Sequence, residues 1–134
     1  MQSHAYVAIV SLLALLTYFW MSLLVGRARG KSGIKAPAMT GDPVLERTIR
    51  VHYNTLEWLP LLLVPMWLFA IYWNDNIAAA LGLVWIAGRI LYALGYMADP
   101  AKREVGFMIQ ALAVAVLLFG SLGRLVYVLA ITGA

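Results

Sequence analysis

The chain has no cysteine, so it offers no disulfide, no thiolate nucleophile and no sulfur ligand for a metal. Histidine is scarce too: His4 and His52 stand far apart, and no metal site is expected. Charge is the third shortage. Only 12% of the 134 residues are charged, about half of what a soluble domain of this length carries, while 63% are hydrophobic. Water cannot cover that much apolar surface at this size, so lipid must be the solvent for most of it. The net charge of +4 does not point to nucleic acid, because the basic residues cluster in loops beside apolar runs and form no contiguous basic face. Basic residues are also missing from the first six positions, and the apolar run from Ala5 to Val25 is longer than a signal-peptide core. It is expected to stay as a first membrane span.

A membrane-crossing helix needs about 20 apolar residues. Four such spans are expected, at about 5–26, 43–73, 77–98 and 104–131, in a single all-α domain over 1–134 that forms an integral membrane four-helix bundle. The first span runs into Arg27, Arg29, Lys31 and Lys35, with Gly30, Gly33, Pro37 and Gly41 marking a loop. Asp42 followed by Pro43 reads as a helix start, with the carboxylate as N-cap and proline where its missing N–H costs nothing. The second span begins polar and holds Pro60 and Pro65, which membrane helices accept when neighbours supply partners. Asn74-Asp75-Asn76 is expected to turn, and Asp99-Pro100 to end the third span. That span is rich in small residues, among them Gly82, Gly88 and Gly95, which allow helices to approach closely.

Basic residues gather in the first and third loops. The positive-inside rule therefore places loops 27–42 and 99–103 in the cytoplasm and both termini on the opposite side. Arg124 stands apart. It follows Arg103 by about 31 Å of helix, one hydrocarbon thickness, and is expected to snorkel to the far interface.

Polarity inside the apolar helices is the informative feature. Arg47, Arg50, Asn54 and Glu57 are spaced 3, 4 and 3 and so share a stripe; Arg89, Tyr92 and Tyr96 share another on the third span. Facing lipid, an Arg or Asp at mid-membrane costs about 2.5–3.5 kcal/mol on insertion scales. The two stripes are therefore expected to meet in a shared polar cavity, with Glu57 and Arg89 at similar depth and forming an ion pair. Arg47 and Glu46 read as residues at a solvated helix start. Guanidinium groups suit carboxylates, Glu57 an ammonium or amide N–H, and Asn54 a peptide group. A small zwitterionic peptide with more than one carboxylate matches this set. Glutathione fits, and the residue chemistry admits other anions.

The segment from Glu46 to Glu57 resembles the E-R-x-x-R-x-x-x-N-x-x-E signature of the MAPEG family, the membrane-associated proteins of eicosanoid and glutathione metabolism. The resemblance extends to Gly88-Arg89-Ile90-Leu91-Tyr92-Ala93-Leu94-Gly95-Tyr96 and to Arg103, and covers nearly the whole chain. It implies that Arg50, Asn54 and Glu57 hold glutathione from the second helix and Arg89, Tyr92 and Tyr96 from the third. It implies a further arginine, Arg29 or Arg27, at the glutathione carboxylates, and Arg103 as the group that stabilises the thiolate. It also implies a homotrimer with each site between neighbouring subunits, and a lipophilic electrophile or hydroperoxide as second substrate, as in detoxification. Tyr92 stands where the prostaglandin-forming member has histidine, and agrees with the leukotriene-forming member.

Two alternatives remain open at this point. A non-catalytic lipid-binding scaffold would not need the retained Arg50, Asn54, Glu57, Tyr92, Tyr96 and Arg103. A small multidrug transporter would carry its key glutamate in the first span, where this chain has no charge.

Overall fold

The computed structural model describes residues 3–133. Its elements are α1 (Ala5–Ser32), α2 (Pro43–Tyr72), α3 (Asp75–Ala98), a one-turn 3-10 helix (Pro100–Arg103) and α4 (Glu104–Thr132). No strand occurs among the described residues. All four long helices are long and apolar enough to cross a membrane. Large apolar side chains such as Leu12, Phe19, Leu61, Leu112 and Phe119 stand exposed on their outer faces, as lipid-solvated helices require.

Helix boundaries follow local chemistry. Asp42 is the N-cap of α2, its Oδ2 accepting from the Leu45 N–H at 2.9 Å, with Pro43 in the first turn as expected. Glu46 reaches back to accept from the Gly41 N–H at 3.1 Å. Asn74 caps α3 in the same way, Oδ1 accepting from the Ile77 N–H at 3.0 Å. The turn is thus tighter than the Asn74–Asn76 stretch suggests, and Asp75 and Asn76 already belong to the helix. Asp99 accepts from the Ala101 N–H at 3.1 Å and starts the 3-10 turn that delivers Arg103.

A second boundary differs from the expectation. The stretch from Arg27, read as loop, continues α1 as far as Ser32. Arg and Lys are good helix formers, and cations in the last turn meet the negative end of the helix dipole. Termination waits for Gly33, which takes φ 74° and donates its N–H to the Arg29 carbonyl. Pro60 and Pro65 lie within a continuous α2, and the Ser121 hydroxyl donates to the Pro65 carbonyl at 3.1 Å, tying α4 to that stretch.

Small residues set the packing of α3. A Cβ on Gly106 of α4 would collide with the Tyr92 backbone nitrogen and lie 2.7 Å from the Gly88 carbonyl oxygen; one on Gly88 would lie 2.7 Å from the Gln110 nitrogen. The two backbones are therefore in direct contact where α3 crosses α4. Gly82 instead makes room for the side chains of Val10 of α1 and Met66 of α2, while Gly95 lies against the backbone carbonyl of Lys102. The main core, around Val7, Leu62, Met66, Trp85 and Leu117, fills the half of the bundle near the N-terminus. A smaller cluster of Met21, Val51, Tyr92 and Ala93 sits toward the other end and underlies the site.

Candidate functional site

Two stripes and one turn converge where α3 ends and α4 begins. Arg50 and Asn54 come from α2, Tyr92 and Tyr96 from α3, and Arg103 from the last residue of the 3-10 turn; with Phe107 they line a cavity of about 260 Å³. Spacings of four residues place each pair one turn apart on its helix. The α3–α4 backbone contact then brings Arg103 against the tyrosines: its guanidinium carbon lies 5.5 Å from the Tyr96 ring centroid, and its Nη1 donates to the Pro100 carbonyl at 2.9 Å. Tyr92 is 3% exposed and packs against Tyr96 at 5.6 Å and Phe107 at 5.9 Å between ring centroids.

Arg89 sits behind the cavity rather than on its wall. It is 0% exposed, and its guanidinium carbon lies 4.6 Å from the Tyr92 ring centroid, 5.7 Å from Trp85, 5.8 Å from Trp58 and 6.0 Å from Phe107. Its Nη1 donates to Asn54 Oδ1 at 2.8 Å and to Thr55 Oγ1 at 3.2 Å, while the Thr55 hydroxyl itself donates to the Val51 carbonyl at 2.8 Å. The expected ion pair between Arg89 and Glu57 is not formed. Glu57 is exposed and makes no hydrogen bond or ion pair among the described residues. Asn54 and Thr55, half a turn or more closer to the loop, take the guanidinium instead. Asn54, with its carbonyl oxygen engaged by Arg89, keeps its amide N–H groups for whatever enters the cavity.

Other expected site residues lie elsewhere in a single chain. Arg29 ties the end of α1 to the first loop, Nη1 donating to the Ala38 carbonyl at 2.7 Å and the Ile34 carbonyl at 3.4 Å. Arg27 is exposed and lines a separate cavity of about 290 Å³ with Leu24, Thr48 and Met97. Arg47 is not simply solvated at a helix start: half-buried, its Nη1 donates at 3.4 Å to the carbonyls of Met97 and Ala98 and so covers the C-terminal end of α3.

Sequence reasoning missed four participants. Phe107 stands one turn beyond Arg103, and that spacing was the available signal. Trp58 and Trp85 form the ring enclosure of Arg89, and nothing in the sequence separates them from packing residues. Gln110 is a lone amide in an apolar helix, a visible signal; it is 0% exposed and its amide makes no hydrogen bond among the described residues.

The arrangement presents two guanidinium groups, two phenols and an amide around a small open cleft where α3 ends and α4 begins. It can bind a carboxylate-bearing molecule and place a cation beside a developing anion.

Known proteins resemble this chain in sequence. The model of the MAPEG family matches residues 7–123. An uncharacterised protein of Synechocystis sp. is 49% identical over 115 residues, covering 86% of this chain and 84% of that one. Microsomal glutathione S-transferase 2 of Homo sapiens is 39% identical over 117 residues, covering 87% of this chain and 80% of that protein. Leukotriene C4 synthase of Cavia porcellus is 35% identical over 126 residues, covering 93% of this chain and 84% of that protein.

Proposed function

This chain belongs to the MAPEG family of integral multi-pass membrane proteins, and on that premise we propose that it binds glutathione in the cavity between α2, α3 and Arg103 and activates its thiol. The observation that carries the reading is the convergence of Arg50, Asn54, Tyr92, Tyr96 and Arg103 on one cleft, from three separate elements. A relative named as a microsomal glutathione S-transferase is 39% identical over 87% of this chain.

Arg50 supplies a forked donor for a glutathione carboxylate. Asn54 offers its amide N–H groups to a peptide carbonyl, held in that orientation by Arg89. Arg103, facing the same cleft, is the group beside sulfur. A free thiol ionises near pH 8.5, so only a few per cent is thiolate at neutrality. A guanidinium close to sulfur favours the charged form, the more so where a neighbouring copy closes the cleft to water, and one pKa unit corresponds to about 1.4 kcal/mol. The thiolate then forms a bond to an electrophilic carbon of a lipophilic substrate arriving from the bilayer; in a substitution the leaving group departs with its bonding pair, and in an addition the anion formed takes up a proton. Alternatively two glutathione molecules reduce a lipid hydroperoxide to an alcohol and water and become the disulfide.

The cleft of about 260 Å³ falls slightly short of the ~300–1,000 Å³ of complete small-molecule sites. Arg27, Arg29 and Glu57 remain outside it, and Glu57 makes no hydrogen bond or close ion pair in its own chain among the described residues. A homotrimer with each site between neighbouring copies accounts for both facts: a neighbour's first helix closes the cleft and brings its Arg27 or Arg29 to the glutathione carboxylates. The basic stretch 27–42, whose first part ends α1, and the turn 99–103 face the cytoplasm, which supplies glutathione from the side where Arg103 lies.

The test is a titration of the detergent-purified protein with glutathione, read as ultraviolet thiolate absorbance. A saturable thiolate band at neutral pH supports the reading; binding without a band, or no binding, overturns it and favours a scaffold that holds lipid. Assays with a generic aryl halide and with a lipid hydroperoxide then separate conjugation from peroxide reduction.

A further inference from the structure

The opposite end of the bundle carries a cationic feature that the thiol chemistry does not use. Arg124 lies about 31 Å from Arg103 along α4, one hydrocarbon thickness away. Its Nε donates at 3.1 Å to the carbonyl of Tyr72, the last residue of α2. Its guanidinium carbon lies 4.8 Å from the Trp73 ring centroid and 5.7 Å from that of Tyr127. Trp73 is itself fixed, Nε1 donating to the Gly120 carbonyl at 2.8 Å. These side chains and Gly123 line a cavity of about 300 Å³, and Gly123 leaves one wall open: a Cβ there would meet nothing within 4 Å. The guanidinium is thus held from one edge and by two rings, while Nη1 and Nη2 make no hydrogen bond among the described residues.

No carboxylate answers this charge among those residues. Asp75, the acid at this end of the bundle, accepts from His4 Nδ1 at 2.9 Å. We propose that Arg124, flanked by Trp73 and Tyr127, binds the phosphate of a membrane phospholipid in the leaflet opposite Arg103. The free edge of a planar guanidinium matches two phosphate oxygens. Tryptophan and tyrosine favour the depth at which headgroups lie, with an apolar ring body and one polar atom. Toward the midplane the face of α4 below Gly123 exposes Leu112, Val116 and Phe119, an apolar track for the acyl chains. A soluble phosphate would lack that second half of the contact.

The protein in a neutral detergent, examined by native mass spectrometry, decides the matter. Phosphatidylglycerol, diacylglycerol of the same chain lengths and inorganic phosphate are added separately, to wild type and to Arg124→Gln. Wild type is expected to retain phosphatidylglycerol and to release diacylglycerol, and R124Q to bind the phospholipid about tenfold more weakly, with helical content and glutathione binding unchanged. Equal retention by wild type and R124Q overturns the proposal, as does equal retention of diacylglycerol. Displacement of the lipid by millimolar inorganic phosphate assigns the site to a soluble anion and overturns it too. Gly123→Leu, which fills the open wall and leaves Arg124 in place, guards against a folding defect in R124Q: it is expected to lose the lipid as well, and unchanged retention there counts against the site.

Discussion

Arg89 and Asn54 are joined by a 2.8 Å hydrogen bond that runs from the buried interior of the bundle to the wall of the cleft. The arginine is closed off by four aromatic rings, whereas the asparagine meets the cavity. One touches the ligand through the other, which makes Arg89 a positioning residue. Replacing it with leucine frees the Asn54 amide to rotate. Glutathione binding by calorimetry is expected to weaken about tenfold, or roughly 1.4 kcal/mol. The thiolate fraction of the glutathione that does bind should be unchanged, because Arg103 is untouched. Unaltered affinity in R89L would remove the role assigned here.

Arg103→Ala separates activation from binding in the other direction. The residue is exposed and lies at the end of a short turn, so the fold should persist. The thiolate band is expected to vanish at neutral pH, and conjugation to fall by about a hundredfold or more, as when a single charge-stabilising donor is removed elsewhere. An unchanged conjugation rate in this variant contradicts the assignment.

How much of this arrangement was visible beforehand depends on which physical signal each residue left. The caps at Asp42 and the one-turn spacings of Arg50 with Asn54 and Tyr92 with Tyr96 are local, and local rules place them. Glu57 shares the stripe with Arg50 but stands seven residues on, about 10 Å along the axis, which carries it past the cleft. Arg89 was placed on the correct stripe, yet spacing says nothing about whether a side chain turns to the wall or behind it. That choice was made by Trp58, Trp85 and Phe107, which come from three different helices. The continuation of α1 to Ser32 was hidden by glycines at 26 and 30 that break nothing, since the stop is set by Gly33 alone.

Those glycines supply a stability test. Gly106→Ala forces a methyl group against the Tyr92 backbone and should cost about 1–3 kcal/mol. Gly26→Ala meets nothing within 4 Å in the middle of a helix and should be neutral, or stabilising by up to about 1 kcal/mol. Thermal unfolding in detergent, followed by circular dichroism, reads both. Equal shifts for the two variants contradict the backbone contact.

Subunit sharing can be examined with two inactive chains. One carries Arg27→Ala and Arg29→Ala together, the other Arg103→Ala. Each alone should be inactive or nearly so. If a site takes its cleft from one copy and its first-helix arginine from the next, random co-assembly in a closed ring restores roughly a quarter of the sites. Mixed assemblies with no recovered activity show that every site is built within one copy.

The absence of cysteine makes orientation straightforward to measure. Lys35→Cys and Asn76→Cys each introduce the sole thiol, in the first loop and at the start of α3 respectively. On intact cells a membrane-impermeant maleimide is expected to label the cysteine at 76 and spare the one at 35. The reverse pattern inverts the topology drawn from the basic loops.

The crossing of α3 and α4 at Gly88 and Gly106 has a bearing on how such a chain can change. Because main chain rests on main chain there, no intervening side chain sets the distance between the backbones that carry the tyrosines and Arg103. Helix geometry fixes that spacing. Lipid-facing positions can then drift freely, and meet new greasy substrates or thicker bilayers, while the reacting end keeps its dimensions.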